Sequence, residues 1–271
     1  MSFHLQFKQK SPFFLKRVKY FLSRFSGVRL QKAKSLHFVS MNGRSFKRLV
    51  LCDSYLASTI ERNLETFRGS EHFPALVTCY EREIWVDFID GLPIKVVDEE
   101  IVKKMADFYA MLYSRQFKYV DTTESPFPHR LQQDLLFLHH IGVLSDDLHS
   151  TLAEVAKRLI PQKILMGWDY SDPVLKNFVI LKESGKVCAV DVEGLAENQL
   201  IGMGVAKACL RWLDPYRSLF FEHLAKQNVP DFQVSFPFIE LCFLAKWTKR
   251  AFFEQKFKII DPSLFERFRH L

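Results

Sequence analysis

The sequence predicts an α+β chain of two lobes: a small β-rich front lobe and a larger helical lobe with one embedded β-hairpin. Three observations lead there. Near the front, two β-prone runs flank Asn42-Gly43, and Asn-Gly between such runs is a strong hairpin signal. From about Asp98 onward, apolar residues recur with the helical period. That pattern is interrupted once, by "SDPVLKNFVI" (171–180) and "VCAVDVEGL" (187–195), which read as two short strands around a turn at 183–186.

Length and composition allow this plan. At 271 residues, 48% hydrophobic and 25% charged, the chain is long enough for two lobes around a cleft and too apolar for wholesale disorder. No run approaches the roughly eighteen apolar residues of a membrane span, so no transmembrane helix is expected. The five cysteines (Cys52, Cys79, Cys188, Cys209, Cys242) are scattered and form no CxxC pair. That pattern argues for free, buried thiols in a reducing compartment, and against a disulfide framework or a structural zinc site. Charge is uneven. Twelve of the 38 Lys and Arg precede the first acidic residue, Asp53, which leaves 26 cations against 31 carboxylates in the rest. A basic front end attracts phosphates, whether on nucleic acid, anionic lipid or a phosphorylated substrate.

Taken in order, residues 1–34 form a basic segment of their own. Phe14, Val18, Phe21 and Phe25 follow a helical spacing, with Lys16, Arg17 and Arg24 largely off the stripe and Ser26-Gly27 ending it. Three readings stand for residues 11–26: packing on the protein's own body, lying on an anionic membrane surface, or serving as an organellar transit peptide. Residues 35–94 form the front lobe, with the Asn42-Gly43 hairpin, a helix over 53–69 and two strands in "FPALVTCYEREIWVDFIDGLPI" before a polar turn at Asp90-Gly91. In that helix Leu56, Ile60, Leu64 and Phe67 share one side, and Gly69 follows its end. Residues 95–271 form the helical lobe, read as six helical segments around the hairpin, the fourth running through "QLIGMGVAKACLRWL".

The hairpin carries the chemistry. Asp172, Asn177 and Asp191 fall at strand ends, where polar side chains can converge. Phosphoryl transfer needs an oriented nucleophile and metal ions bridging the phosphates. Magnesium takes hard oxygen ligands and keeps several waters, so one carboxylate and one amide oxygen suffice. A separate carboxylate must accept or orient the acceptor's hydroxyl proton. "DPVLKN" followed by "AVD" supplies these groups in that order.

The stretch "YSDPVLKNFVI … VCAVDVEG" resembles the catalytic loop and metal-binding strand of the protein-kinase-like fold. In style it is similar to the small-molecule phosphotransferases: aminoglycoside and choline kinases and the kinases of lipopolysaccharide core sugars. Their pattern is H-x-D-x-x-x-x-N followed by apolar-apolar-D. The resemblance spans roughly 35–213 and implies ATP and Mg²⁺ as cofactors, Asp172 as catalytic base, and Asn177 and Asp191 as magnesium ligands. It also implies a hinge in "EIWVDFIDGLPI", where backbone groups from Val86 to Phe88 would meet an adenine ring. A strand lysine on the nucleotide phosphates, paired with a helix glutamate, maps to Lys47 and Glu61, with Arg48 as the alternative to Lys47. Two departures are plain. The usual His is Tyr170, and no G-x-G-x-x-G loop is present.

Other features have plainer readings. Asp169 is a competing carboxylate, eight residues before Asn177, and Glu193 is expected to face water. His139-His140 read as ordinary helix packing. Nucleic acid is set aside because no recognised binding module accompanies the basic front end. The expected function is an ATP-dependent phosphotransferase acting on a hydroxyl of a small molecule or glycolipid, such as a lipopolysaccharide core sugar. Its expected place is the cytoplasm, peripheral on the inner face of a membrane. The rival is a pseudokinase that binds nucleotide or a partner without turnover.

Overall fold

In the computed structural model, which describes residues 35–271, Asn42 and Gly43 turn the chain with φ of +53° and +74°. Two residues in that region match the twist of the flanking strands, as a tight hairpin requires. Strands β1 (Ser35–Met41) and β2 (Arg44–Val50) accordingly pair antiparallel, from Met41 opposite Arg44 to Ser35 opposite Val50. The basic segment 1–34, with its expected amphipathic helix, lies outside the described residues.

The chain divides into two compact units, which are described separately. The first comprises the described residues up to Val96 together with 174–195. Its four-stranded sheet has the order β1-β2-β4-β3, with β3 at Leu76–Tyr80 and β4 at Glu83–Asp87. Helix α1 (Ser54–Thr66) starts where the Asp53 carboxylate accepts from Leu56 N–H at 2.8 Å. Of the apolar side read from the sequence it buries Ile60 and Leu64, with Phe67 buried just past its end and Leu56 half-buried, and Gly69 follows at φ +80°.

Gly91 does not sit in the expected turn. It opens β5 (Gly91–Pro93), which pairs with β8 (Phe178–Leu181), itself paired with β9 (Val187–Ala189). A Cβ at Gly91 would lie 2.7 Å from Val179 Cγ2, so only glycine admits this approach. The pairing ties the 178–189 hairpin to the segment that follows the front sheet, and the hairpin groups with the first unit.

The second unit comprises 97–173 and 196–271. Helices α2 (Glu99–Tyr113), α3 (Phe127–His140), α4 (Asp146–Leu159), α5 (Met203–Ala208), α6 (Arg217–Ala225), α7 (Phe236–Phe253) and α8 (Ser263–Glu266) build it. Asp98 and Ser145 cap α2 and α4 by accepting from Ile101 and Leu148 N–H. A three-stranded sheet of order β10-β7-β6 uses β6 (Lys118–Asp121), β7 (Lys163–Tyr170) and β10 (Leu195–Leu200). The reading of a helix from Gln199 onward is corrected here. Gln199 and Leu200 complete β10, and Gly202, at φ +97°, turns the chain before α5 begins at Met203. The packing reason is direct: a Cβ at Gly202 would lie 2.8 Å from the Phe232 ring.

Buried rings fill this unit. Tyr109, Tyr113, Phe220 and Phe232 contact one another at centroid distances of 5.3–6.0 Å, mostly edge to face. Such pairs add about 0.5–1.5 kcal/mol each beyond the area they bury. Among the described residues no helix is long and apolar enough to cross a membrane.

Candidate active site

In the first unit, strand alternation decides between the two candidate cations. Lys47 stands opposite Val86 and Arg48 opposite Trp85, so their side chains leave opposite faces of the sheet. Arg48 makes a two-pronged bond to Glu83 and lies 5.5 Å from the centre of the Trp85 ring. That guanidinium holds the Glu83 carboxyl below its ordinary range. Lys47 instead sends its ammonium to the carbonyl oxygen of Val190, at 2.5 Å.

Val190 is the junction. Its N–H donates to the Asn177 carbonyl at 2.8 Å, one step beyond the ladder that pairs Phe178 with Ala189. Asp191 follows directly. Thus Lys47, Asn177 and Asp191 are gathered around one backbone position. Asn177 is 6% exposed, and one oxygen of Asp191 is shielded from solvent. One amide oxygen and one carboxylate are the hard donor set that suits magnesium, and an ammonium beside them suits phosphate oxygens.

The remaining first-unit candidates are placed differently. Glu61, on the helix packed against β3, neighbours Cys79, and burial followed by that carboxylate pushes the Cys79 thiol up to about 11. The described bond of Lys47 goes to Val190, and the described neighbour of Glu61 is Cys79. Val86 is buried at the centre of β4. Phe88 N–H donates to the Ser45 carbonyl at 3.0 Å, so that group is not available to an adenine ring. Glu193 was expected to face water. One of its carboxylate oxygens is instead shielded, in a 3₁₀ turn between buried Val192 and Gly194.

The second unit holds Asp169 and Asp172, and burial separates them. Asp169 is 1% exposed and accepts from Tyr170 N–H at 2.8 Å, Gly204 N–H at 2.8 Å and Tyr113 OH at 3.1 Å. Burial raises its carboxyl to about 6, against the pull of those donors. It is a tie between β7 and α5, out of reach of an acceptor hydroxyl. Asp172 has a side chain 41% exposed and can meet one.

Two residues with no signal in the motif complete this arrangement. Lys207 donates to the Asp172 carboxylate and, at 3.2 Å, to the Ser171 carbonyl. Gly204 lets α5 come this close, because a Cβ there would lie 2.2 Å from the Tyr170 carbonyl oxygen. Both come from a helix about thirty-five residues beyond the motif. Tyr170, in the usual His position, is wholly buried and meets Phe108 edge to face at 5.6 Å. Its ring holds the end of β7 by packing.

Two other clusters have structural explanations. Cys209, Asp214 and Glu240 lie close enough to hold a metal, but the Arg217 guanidinium already sits between the carboxylates, 2.7 Å from Asp214 and 2.6 Å from Glu240. His139 stacks on His149 at 4.5 Å and bonds to Asp146 at 2.8 Å, joining α3 to α4.

No protein-family model matches this chain, and no curated protein matches it in sequence. Solved structures do match in fold. The chain is similar to a macrolide 2′-phosphotransferase from Brachybacterium faecium, at 10% identity and TM-score 0.62 over 88% of this chain and 93% of that one. It is similar to a choline kinase from Streptococcus pneumoniae, at 12% identity and TM-score 0.56 over 90% and 92%. A third structure is a thermostable aminoglycoside phosphotransferase in ternary complex with AMP-PNP and hygromycin B, at 12% identity and TM-score 0.54 over 93% and 96%. The chain has the protein-kinase-like fold of these structures.

Proposed function

We propose that this chain, with its protein-kinase-like fold, is an ATP-dependent phosphotransferase acting on a hydroxyl of a small molecule or glycolipid. The observation that carries the reading is the convergence of Lys47, Asn177 and Asp191 on Val190, from positions as far apart as 143 residues. Residues that bear an ammonium, an amide and a carboxylate, gathered at one backbone position, are the types a metal–triphosphate group needs, and a purely structural turn needs none of them. The likeness to phosphotransferases, one of them holding AMP-PNP, supports the same reading.

Each residue then has a role. Asn177 and Asp191 would hold magnesium, which neutralises phosphate charge when bound. Lys47 steadies phosphate oxygens. Asp172 accepts the acceptor's hydroxyl proton as that oxygen bonds to the γ-phosphorus, and the bond from that phosphorus to the ADP oxygen breaks. A lipopolysaccharide core sugar at the inner face of a membrane is the acceptor we favour within this class. The basic residues 11–26 would dock on anionic lipid. Deleting 11–26 should abolish liposome binding while nucleotide binding survives; unchanged lipid association would defeat the docking idea.

The main test is calorimetry of ATP binding with and without Mg²⁺, on the wild type and on Asp191→Ala. Metal-dependent binding that the variant loses supports the reading, and no binding in any condition defeats it. Tyr170 at the usual His position favours a second reading, a pseudokinase. Nucleotide binding without turnover across an acceptor screen, with Asp172→Asn as the control, would select it.

A further inference from the structure

Helix α7 ends by holding apolar side chains out to solvent. Gln255 N–H donates to the Phe252 carbonyl and Lys256 N–H to that of Ala251, both at 2.9 Å, with Gln255 at φ +56°. This is a closed turn that satisfies the last carbonyls of a helix, and a 3₁₀ turn over Phe257–Ile259 follows it. Phe253, Phe257 and Ile259 are left 43%, 57% and 37% exposed. The two rings are nonetheless fixed. Phe253 stacks on Phe137 of α3 at 5.2 Å, Phe257 meets Phe252 edge to face at 5.6 Å, and Phe137 meets Phe252 at 5.7 Å. Single exposed apolar residues are ordinary, whereas three within seven residues mark an interaction surface.

The charge beside these residues is one-sided. Residues 249–261 hold four cations, Lys249, Arg250, Lys256 and Lys258, against two carboxylates, Glu254 and Asp261. Glu254 bonds to Arg250 at 2.6 Å and Lys256 at 2.5 Å, and both cations reach solvent while the carboxylate is largely covered. Asp261 accepts from Ser263 N–H at 2.9 Å, and a third carboxylate, Asp134 of α3, takes up Lys249 at 2.6 Å. Lys258, between Phe257 and Ile259, is exposed.

Apolar side chains that enter a headgroup layer, flanked by lysines that meet lipid phosphates, are the combination an anionic bilayer surface takes. A second copy of the chain would bring these cations against one another, which like charge disfavours. We propose that the turn at 253–259 docks on an anionic lipid surface, with Phe253, Phe257 and Ile259 as its apolar anchors and Lys256 and Lys258 as its phosphate contacts. The proposal deepens the membrane-surface reading and adds a second attachment to residues 11–26. Two weak attachments on one chain hold far better than either alone, so removing one costs most of the binding.

The test is co-sedimentation of the full chain with vesicles of phosphatidylcholine alone and of phosphatidylcholine mixed with phosphatidylglycerol. The mixed vesicles should bind, and high salt should weaken them. Replacing Phe257 and Ile259 together by Ser, or Lys256 and Lys258 together by Gln, should each weaken that binding by about ten-fold or more, with ATP affinity unchanged. Hydrogen exchange on the unmutated chain is a second readout that needs no variant to fold. The mixed vesicles should slow the amides of 253–260, and phosphatidylcholine alone should not. No binding to mixed vesicles, full binding by both double variants, or slowing confined to other segments would each overturn the proposal. A dimer in sedimentation that the Phe257 and Ile259 substitutions dissolve would place a second copy on this surface and overturn the lipid assignment. Failure of docking by 11–26 looks different: deleting that segment leaves binding intact while the substitutions at 256–259 still remove it. Failure of the phosphotransferase reading is separate again, because ATP with Mg²⁺ then does not bind while the mixed vesicles do.

Discussion

Lys47 donates to the carbonyl oxygen of Val190 at 2.5 Å across 143 residues of sequence, while its neighbour Arg48 turns to the opposite face and grips Glu83. Adjacent cations are thus assigned to separate tasks by strand alternation alone.

The first prediction follows from that division. Lys47→Met should weaken binding of AMP-PNP with Mg²⁺ by about ten-fold or more, because a charge-assisted contact to phosphate is lost. Arg48→Met should leave nucleotide affinity intact and cost about 1 kcal/mol of stability, since its ion pair is part exposed. Calorimetry and urea unfolding on both variants check the pair; equal nucleotide affinity in Lys47→Met would refute the assignment.

Asp169 predicts a pH dependence. Its carboxyl rises from 3.8 to about 6 on folding, because burial disfavours the charge. Between those values the folded chain holds a proton that the unfolded chain has lost, so this group makes stability fall as pH rises through the window. The loss should approach about 2–3 kcal/mol by pH 7. Asp169→Asn, which cannot titrate, should lack that component. Denaturant unfolding of both proteins at pH 4, 5.5 and 7 reads the difference, and identical slopes would rule it out.

Gly204→Ala should cost more than about 2 kcal/mol. The new methyl would sit 2.2 Å from a backbone oxygen of Tyr170, which cannot swing aside as a side chain can. A midpoint unchanged in urea would show that α5 does not pack as described.

Lys207→Met should lower background ATP hydrolysis by about ten-fold with nucleotide affinity unchanged, because Asp172 loses the ammonium that orients it. Lys207→Arg should restore much of the rate. The stability change should stay within about 1 kcal/mol, since the Asp172 side chain is 41% exposed. A rate that does not move in Lys207→Met would remove Lys207 from the site.

Much of this arrangement was legible before any fold was known. Asn42-Gly43 marked a hairpin because few residue pairs tolerate its backbone angles, and the structure has that turn. The apolar face of α1 followed from helical spacing, and Ile60, Leu64 and Phe67 of it are buried while Leu56 is half-buried. The hairpin bearing Asn177 and Asp191 followed from two apolar runs and a polar turn. Gly91 misled because glycine marks a turn and a close backbone approach equally well, and only the position of Val179 separates the two. Strands β7 and β10 were hidden for another reason. Buried on both faces, or short and polar, neither shows a clean two-residue period.

The sequence left Lys47 and Arg48 as alternatives, but by itself determined the order of strands and helices in the front part, the Asn42-Gly43 turn and the embedded hairpin. All of these depend on residues within a few positions of one another, where backbone geometry fixes the side-chain period. Tertiary structure alone decided that Asp169 is a buried tie, that Lys207 reaches Asp172, that Glu61 neighbours Cys79, and that Phe253 stacks on Phe137. Those relationships join residues from eighteen to more than a hundred positions apart. No local period encodes them; they exist only because packing brings separate elements together.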